Sequence, residues 1–377
     1  MKLNYDVLGN HIRLIDTRNK DLISETVLGI NIDKFFMPSV ANVIGTDLSK
    51  YKLITKGKFA CNPMHVGRDE RLPVALYTED TPAIVSPAYF MFEIVNSAVL
   101  NEEYLMMWFR RPEFDRLCWL RTDGSVRGGI TWDDICRMEI PVPPMDEQME
   151  TVNSYKAISN RIALKMQIND NLEAQLSSLF HILFDKDIQN TCVISDFGEI
   201  VGGATPSTEN PEFFCTDGIV WLSPKDLTST GLKFIFKGET DITEAAYKSC
   251  STKMLPKGSV LLTSRAPVGT VAIAMTDLCT NQGFKSIIPK TEIGTEFIYF
   301  FLKENKALLD SHASGTTFME ISGNVLKSIP AFLPDGESLL KFRKACSPIF
   351  DIQVQNEAEI KELTDLQSTL ISQISSR

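Results

Sequence analysis

The two halves of the chain repeat one another at an offset of about 190 residues, and an internal repeat constrains a fold more than any single motif does. Leu8-Gly9-Asn10 is echoed by Phe197-Gly198-Glu199. A Lys-Gly turn entering a short apolar run occurs at Lys56-Gly57-Lys58-Phe59-Ala60 and again at Lys257-Gly258-Ser259-Val260-Leu261, each reading as turn then strand. Glu103-Tyr104-Leu105 and Glu296-Phe297-Ile298 each open a helical stretch, and Gly124 to Ile130 answers Gly315 to Ile321. Each half closes on Pro-rich text, Ile140-Pro141-Val142-Pro143-Pro144 and Ile329-Pro330-Ala331-Phe332-Leu333-Pro334, where proline stops a strand and launches a helix. The shared order and near-constant offset carry more weight than any one match.

After each Pro-rich segment the sequence turns long, polar-apolar and helical. From Asp146 to Phe184, apolar residues step by three and four through Tyr155, Ile158, Ile162, Leu172, Leu176, Leu179 and Leu183, the spacing of a coiled-coil seam. Lys165 and Asn169 fall on that seam, where a polar residue fixes register at some cost in stability. The C-terminal stretch repeats the pattern through Ile349, Ile352, Ile360, Leu363, Leu366, Leu370 and Ile374, with Pro348 near its start. An ordinary amphipathic helix lying on a domain is the competing reading. The expected organisation is a first domain over 1–145, a long helix over 146–186, a second domain over 187–335 and a second helix over 336–377. The fold class is mixed α/β, two globular domains separated by two long antiparallel helices. Helices of about 35 residues span on the order of 50 Å, enough to let two domains address two separated sites.

With 377 residues, 44% hydrophobic and 23% charged, the chain suits two ordinary domains rather than a disordered or membrane class. Neither a signal peptide nor an 18-residue apolar span is legible, and a reduced cytoplasm is the simplest compartment. The eight cysteines are scattered without a C-x-x-C pair, so neither zinc nor a disulfide framework is expected. A net charge of -10 argues against a protein that coats nucleic acid indiscriminately, because non-specific affinity comes from phosphate neutralisation. Any DNA binding has to be local.

The second half carries an ordered series of blocks: Val201-Gly202-Gly203-Ala204-Thr205-Pro206-Ser207, Trp221-Leu222-Ser223-Pro224-Lys225-Asp226-Leu227, Leu255 to Val260, Thr263-Ser264-Arg265-Ala266-Pro267-Val268-Gly269, Thr280-Asn281-Gln282-Gly283-Phe284-Lys285, and Ala313 to Phe318. This series resembles the target-recognition domains of Type I restriction-modification specificity subunits. The first half lacks the Trp-x-Ser-Pro-Lys-Asp and Thr-Ser-Arg blocks and resembles another branch of the same family through Gly29 to Lys34 and Val66 to Arg71. The resemblance implies a subunit that performs no chemistry and carries no cofactor. It implies a bipartite, asymmetric double-stranded DNA target, two modification subunits that methylate adenine N6 from S-adenosylmethionine, and restriction subunits. The partner-docking helices would include Tyr155, Ile162, Leu172, Leu176, Leu179, Leu363, Leu366 and Leu370.

Side-chain chemistry nominates the DNA contacts. Arg pairs with guanine in a bidentate fashion, Asn or Gln with adenine, and Ser or Thr hydroxyls reach phosphates and base edges. In the second half these are Thr205, Ser207, Lys225, Ser264, Arg265, Asn281, Gln282, Lys285, Thr316 and Thr317. In the first they are Lys34, Arg68, Arg71 and Arg127, with Arg110 and Arg111 read equally well as a solvated helix end. The structural alternative is that Asn, Gly, Ser and Thr here serve turns and local backbone groups. Trp221 reads as a core anchor.

Catalytic readings find less support. Asn210-Pro211-Glu212-Phe213 resembles the adenine clamp of amino-methyltransferases only in part, and no Gly-rich turn for S-adenosylmethionine accompanies it. The four histidines form no H-E-x-x-H pair, no Walker phosphate loop occurs, and no metal-binding carboxylate cluster stands out. A coiled-coil scaffold whose domains bind protein is the alternative from another class.

Overall fold

The structure is a computed structural model that describes residues 5–40, 43–64, 66–122, 128–184, 191–315 and 319–374. It divides into two compact units, Met1–Ala163 with Glu362–Arg377, and Leu164–Lys361. In the first unit an antiparallel sheet runs in the order Ile12–Ile15, Phe90–Ile94, Phe59–Cys61, Val74–Leu76. A second sheet is ordered Phe36–Pro38, Val27–Ile30, Ala83–Val85, Lys52–Ile54, with the middle pair parallel. A short ribbon pairs Tyr5–Val7 with Glu139–Pro141.

The second unit repeats this plan in the first four strands of its main sheet and in its ribbon, while the order of its second sheet differs. Its main sheet is ordered Gly198–Gly202, Lys285–Pro289, Val260–Leu262, Val271–Ala274, and it gains a fifth strand, Phe234–Ile235, parallel to the last. The second sheet again contains one parallel pair, Ile219–Leu222 with Cys279–Thr280, and the ribbon recurs as Thr191–Val193 with Pro330–Phe332. Both Lys-Gly echoes are turns, with Gly57 at φ 80° and Gly258 at φ 88°, a backbone region where a side chain is strained. The strands Phe59–Cys61 and Val260–Leu262 follow them. The Glu103 and Glu296 echoes lie in the helices Glu102–Phe109 and Thr295–Glu304. Of the Gly124 and Gly315 echo, residues 123–127 and 316–318 lie outside the described residues.

The Pro-rich segments end the two ribbons, and the long helices Met145–Phe184 and Gly336–Gln373 follow. Within each unit these helices run antiparallel. In the first, Tyr155 and Val152 share a core with Leu370 and Ile374, and Gln367 Nε2 donates to Ser159 Oγ at 2.6 Å. In the second, Leu176, Phe180 and Phe184 enter a core with Phe297, Phe300 and Phe342. Lys165 and Asn169 sit on the seam as expected: Lys165 Nζ lies 2.8 Å from Asn356 Oδ1 and 2.8 Å from Glu359, and Asn356 Nδ2 donates to Asn169 Oδ1 at 2.7 Å.

One part of the seam differs from the expectation. Leu366 is 53% exposed and Ile352 is 46% exposed, so neither lies between the helices. Gln353, Asn356 and Gln367 hold the inward positions, because amide side chains there complete the polar layer with Asn169 and Ser159. Leu366 is therefore corrected from seam to surface.

Candidate nucleic-acid interface

In the second unit four connections converge at one end of the main sheet. The first leaves the strand Gly198–Gly202 and passes so close to Thr280 that a Cβ on Gly203 would stand 2.1 Å from the Thr280 carbonyl oxygen. Only glycine fits there, and the next residue seals the contact through Ala204 N to Thr280 O at 3.0 Å. The second connection is Asn281-Gln282-Gly283, an Asx turn in which Asn281 Oδ1 accepts from Gly283 N at 2.8 Å. The third follows Val260–Leu262, with Ser264 N donating to Gly283 O at 2.8 Å. The fourth arrives as Glu320 and Ile321, with Ile321 N donating to Ser264 O at 3.0 Å.

This lacing brings Thr205, Gln282, Lys285 and Arg265 together. Thr205 Oγ1 donates to Gln282 Oε1. Lys285 threads its stem between Gly202 and Gly323 and donates Nζ to the carbonyls of Gln282 at 3.3 Å and Phe284 at 3.2 Å. Partial burial lowers its pKa; Glu320 works against that shift and Arg265 adds to it. Arg265 is 3.9 Å from Glu320, too long for a tight pair, and its side chain is about one third exposed. The cluster thus offers two cations against one carboxylate, an exposed amide and a hydroxyl, the set that contacts phosphates and base edges.

The other nominated residues fall as follows. Lys225 is exposed on the helix Pro224–Thr230, whose Pro224 packs on Gly283, and it pairs with Glu239 at 2.9 Å. Ser207 is exposed beyond Thr205, while Asn281 is occupied by its own turn. Ser264 is a correction: its side chain is fully buried beneath the crossing loops, where no ligand reaches it, and Oγ has no partner among the described residues. Thr316 and Thr317 lie outside the described residues. Trp221 is half-buried, donating Nε1 to Ala204 O at 3.0 Å and meeting Phe214 edge to face, which makes it a brace for the first loop.

In the first unit Lys34 is the second correction. Its side chain is 5% exposed and Nζ lies 2.6 Å from Asp115 Oδ1, which also accepts from Leu72 N at 3.0 Å. Burial lowers the Lys34 pKa against the opposing pull of Asp115. The pair pins the turn between Val27–Ile30 and Phe36–Pro38 to the helix Pro112–Leu120 and leaves no charge for a phosphate. Arg71 and Arg68 remain at the surface, held by Asp33 at 3.1 Å and Asp69 at 2.6 Å. Arg71 shares a cleft of about 890 Å³ with Arg110 and Arg116. The sequence left Arg110 balanced against a solvated helix end and could not single out Arg116, because the helix carrying it meets Arg71 only through the fold. Arg127 lies outside the described residues.

Among the described residues no group of three or more His, Cys, Asp or Glu side chains could hold a metal ion, and no helix is long and apolar enough to cross a membrane.

Comparison with known proteins matches residues 188–364 to a family described as the Type I restriction modification DNA specificity domain. The Type I restriction enzyme MjaIX specificity subunit of Methanocaldococcus jannaschii is 41% identical over 174 residues, 46% of this chain and 40% of that protein. The HindI specificity subunit of Haemophilus influenzae is 29% identical over 48% of this chain and 39% of its own length. The chain thus matches about two fifths of the length of these two relatives. A putative MjaX specificity subunit of M. jannaschii is 22% identical across 96% of this chain and 86% of its own length. Among solved structures, the Type-I restriction-modification system S subunit from M. genitalium shares the fold, with a TM-score of 0.58 and 13% identity over 99% of this chain and 96% of that one.

Proposed function

Because residues 188–364 match the family described as the Type I restriction modification DNA specificity domain, we propose that this chain is the DNA-reading, non-catalytic subunit of a Type I restriction-modification complex. Each unit reads one half of a bipartite target. The two halves differ because the units, which share the order of four main-sheet strands, carry different side chains at their loops. The observation that carries this reading is the loop cluster of the second unit, where Arg265, Lys285, Gln282 and Thr205 meet at one sheet end. The long helices dock the modification subunits, which methylate adenine N6, and restriction subunits join that assembly.

The test is a genome-wide map of N6-methyladenine in cells with and without the gene, expressed beside its modification subunit. The reading expects one two-part motif that appears only with the gene. A protein-binding scaffold predicts no motif, and that outcome would end the DNA reading.

A further inference from the structure

In the second unit a single lysine joins the main sheet to the helix pair. The backbone of Lys233 belongs to the sheet, its carbonyl accepting from Ile273 N at 2.8 Å at the start of the fifth strand. Its side chain leaves the sheet and is 9% exposed. Nζ sits 2.7 Å from Glu173 on the helix Met145–Phe184 and 3.0 Å from Gln353 Oε1 on the helix Gly336–Gln373. Four rings enclose it, Phe350 at 3.8 Å, Tyr299 at 4.5 Å, Phe300 at 5.1 Å and Phe234 at 5.3 Å. Glu173 is itself held by Lys303 at 2.6 Å and the Tyr299 hydroxyl at 3.0 Å. A second carboxylate, Glu357, accepts from the amides of Lys233 and Phe234 at 3.1 and 3.2 Å.

Among its described residues the first unit lacks this device. By the repeat offset, Met106, Met107 and Arg110 stand where Tyr299, Phe300 and Lys303 stand in the second, and Ser159 stands where Phe350 does. Among the described residues its main sheet has four strands, and those residues line an open cleft of about 600 Å³. General packing of a sheet on two helices therefore does not require a caged lysine. A buried cation with directional partners on two helices specifies one orientation, whereas apolar packing tolerates several.

We propose that Lys233 is a positioning residue that sets the angle of the second unit's recognition sheets on its helix pair, and through it the placement of the bound half-site before a modification subunit. This rests on the DNA-reading function proposed above. The test compares the full chain with Lys233→Met, which fills the cage without charge, and Glu173→Gln, which keeps the shape. With the modification subunit present, both variants should bind target DNA within about threefold of the parent, while methylation in the half-site read by this unit falls at least about tenfold, since small misplacements cost rate before affinity. A merely structural role would lower binding and methylation together, and that result, or unchanged methylation, overturns the proposal. Hydrogen exchange on the free chain gives a reading independent of DNA. The Lys233 and Phe234 amides should exchange about tenfold faster in both variants while Leu261 and Ala272 stay protected. Unchanged exchange would overturn the clamp even if the parent chain left no motif, whereas an absent motif with faster exchange removes the DNA function and keeps the clamp.

Discussion

Replacing Asp115 should damage the first unit more than replacing its partner, Lys34. In Asp115→Ala the Lys34 ammonium is left buried beside Phe114 with no carboxylate, and Leu72 N loses its acceptor. Breaking a buried pair from one side costs about 3–5 kcal/mol. The cost also has a ceiling, because the lysine can shed its proton. From the ordinary value of 10.5, neutralising it at pH 7 costs about 5 kcal/mol, and at pH 9 only about 2 kcal/mol. The destabilisation should therefore shrink by up to about 3 kcal/mol between those two pH values. Lys34→Met strands the Asp115 carboxylate, but that group is the more exposed partner, 12% against 5%, and keeps the Leu72 amide, so the loss should be smaller, about 1–3 kcal/mol. Urea unfolding followed by tryptophan fluorescence suits the comparison, since Trp108, Trp119 and Trp132 lie in this unit against Trp221 in the other. Equal losses for the two variants, or a loss for Asp115→Ala that does not respond to pH, would refute the reasoning. So would weaker DNA binding by Lys34→Met, since a buried lysine touches no phosphate.

Arg265→Ala should weaken DNA binding modestly and reduce the slope of log affinity against log salt by about 0.9 if it grips one phosphate; titrations at several salt concentrations check this. Leu176→Ala should cost about 2–5 kcal/mol and Leu366→Ala under about 0.5, measured by denaturant unfolding, because only the first is enclosed. Burial holds the Lys233 pKa down at about 8 against the pull of Glu173, so the unfolded chain binds more protons between there and 10.5. This group's contribution to stability thus rises with pH across that window, by up to about 3 kcal/mol. Tyr299 and Cys346, whose pKa values burial raises, act in the opposite sense, so the difference between the parent and Lys233→Met is the quantity to follow by unfolding from pH 8 to 10.

The repeat and the helices were legible because both are written in local spacing. The Lys-Gly turns, the Glu103 and Glu296 helices and the Pro-rich strand ends need only neighbours a few residues away. Lys165 and Asn169 were placed on the seam by counting threes and fours. The same counting misplaced Leu366, since it follows apolar residues and the seam there is polar, held by Gln353, Asn356 and Gln367. Lys34 and Ser264 failed for a different reason. Their burial depends on partners brought in by the fold: Asp115 is 81 residues from Lys34, and the loop over Ser264 comes from Gly283 and Ile321. Residue type nominates a contact, but only the tertiary structure decides whether the side chain faces water.

The tail Glu362–Arg377 packs into the first unit, where Ile374 is 6% exposed beside Val152 and Tyr155. A ribosome making this chain releases the bulk of that unit long before it supplies the piece that completes it. At about 5–20 residues per second, the intervening stretch of roughly 200 residues takes on the order of 10–40 s. During that interval the early half waits with an unfinished apolar seat, and the later half folds first to completion. The first half cannot be finished from its own text alone, so loss of the turns after Glu362 would be felt in a domain roughly 200 residues upstream.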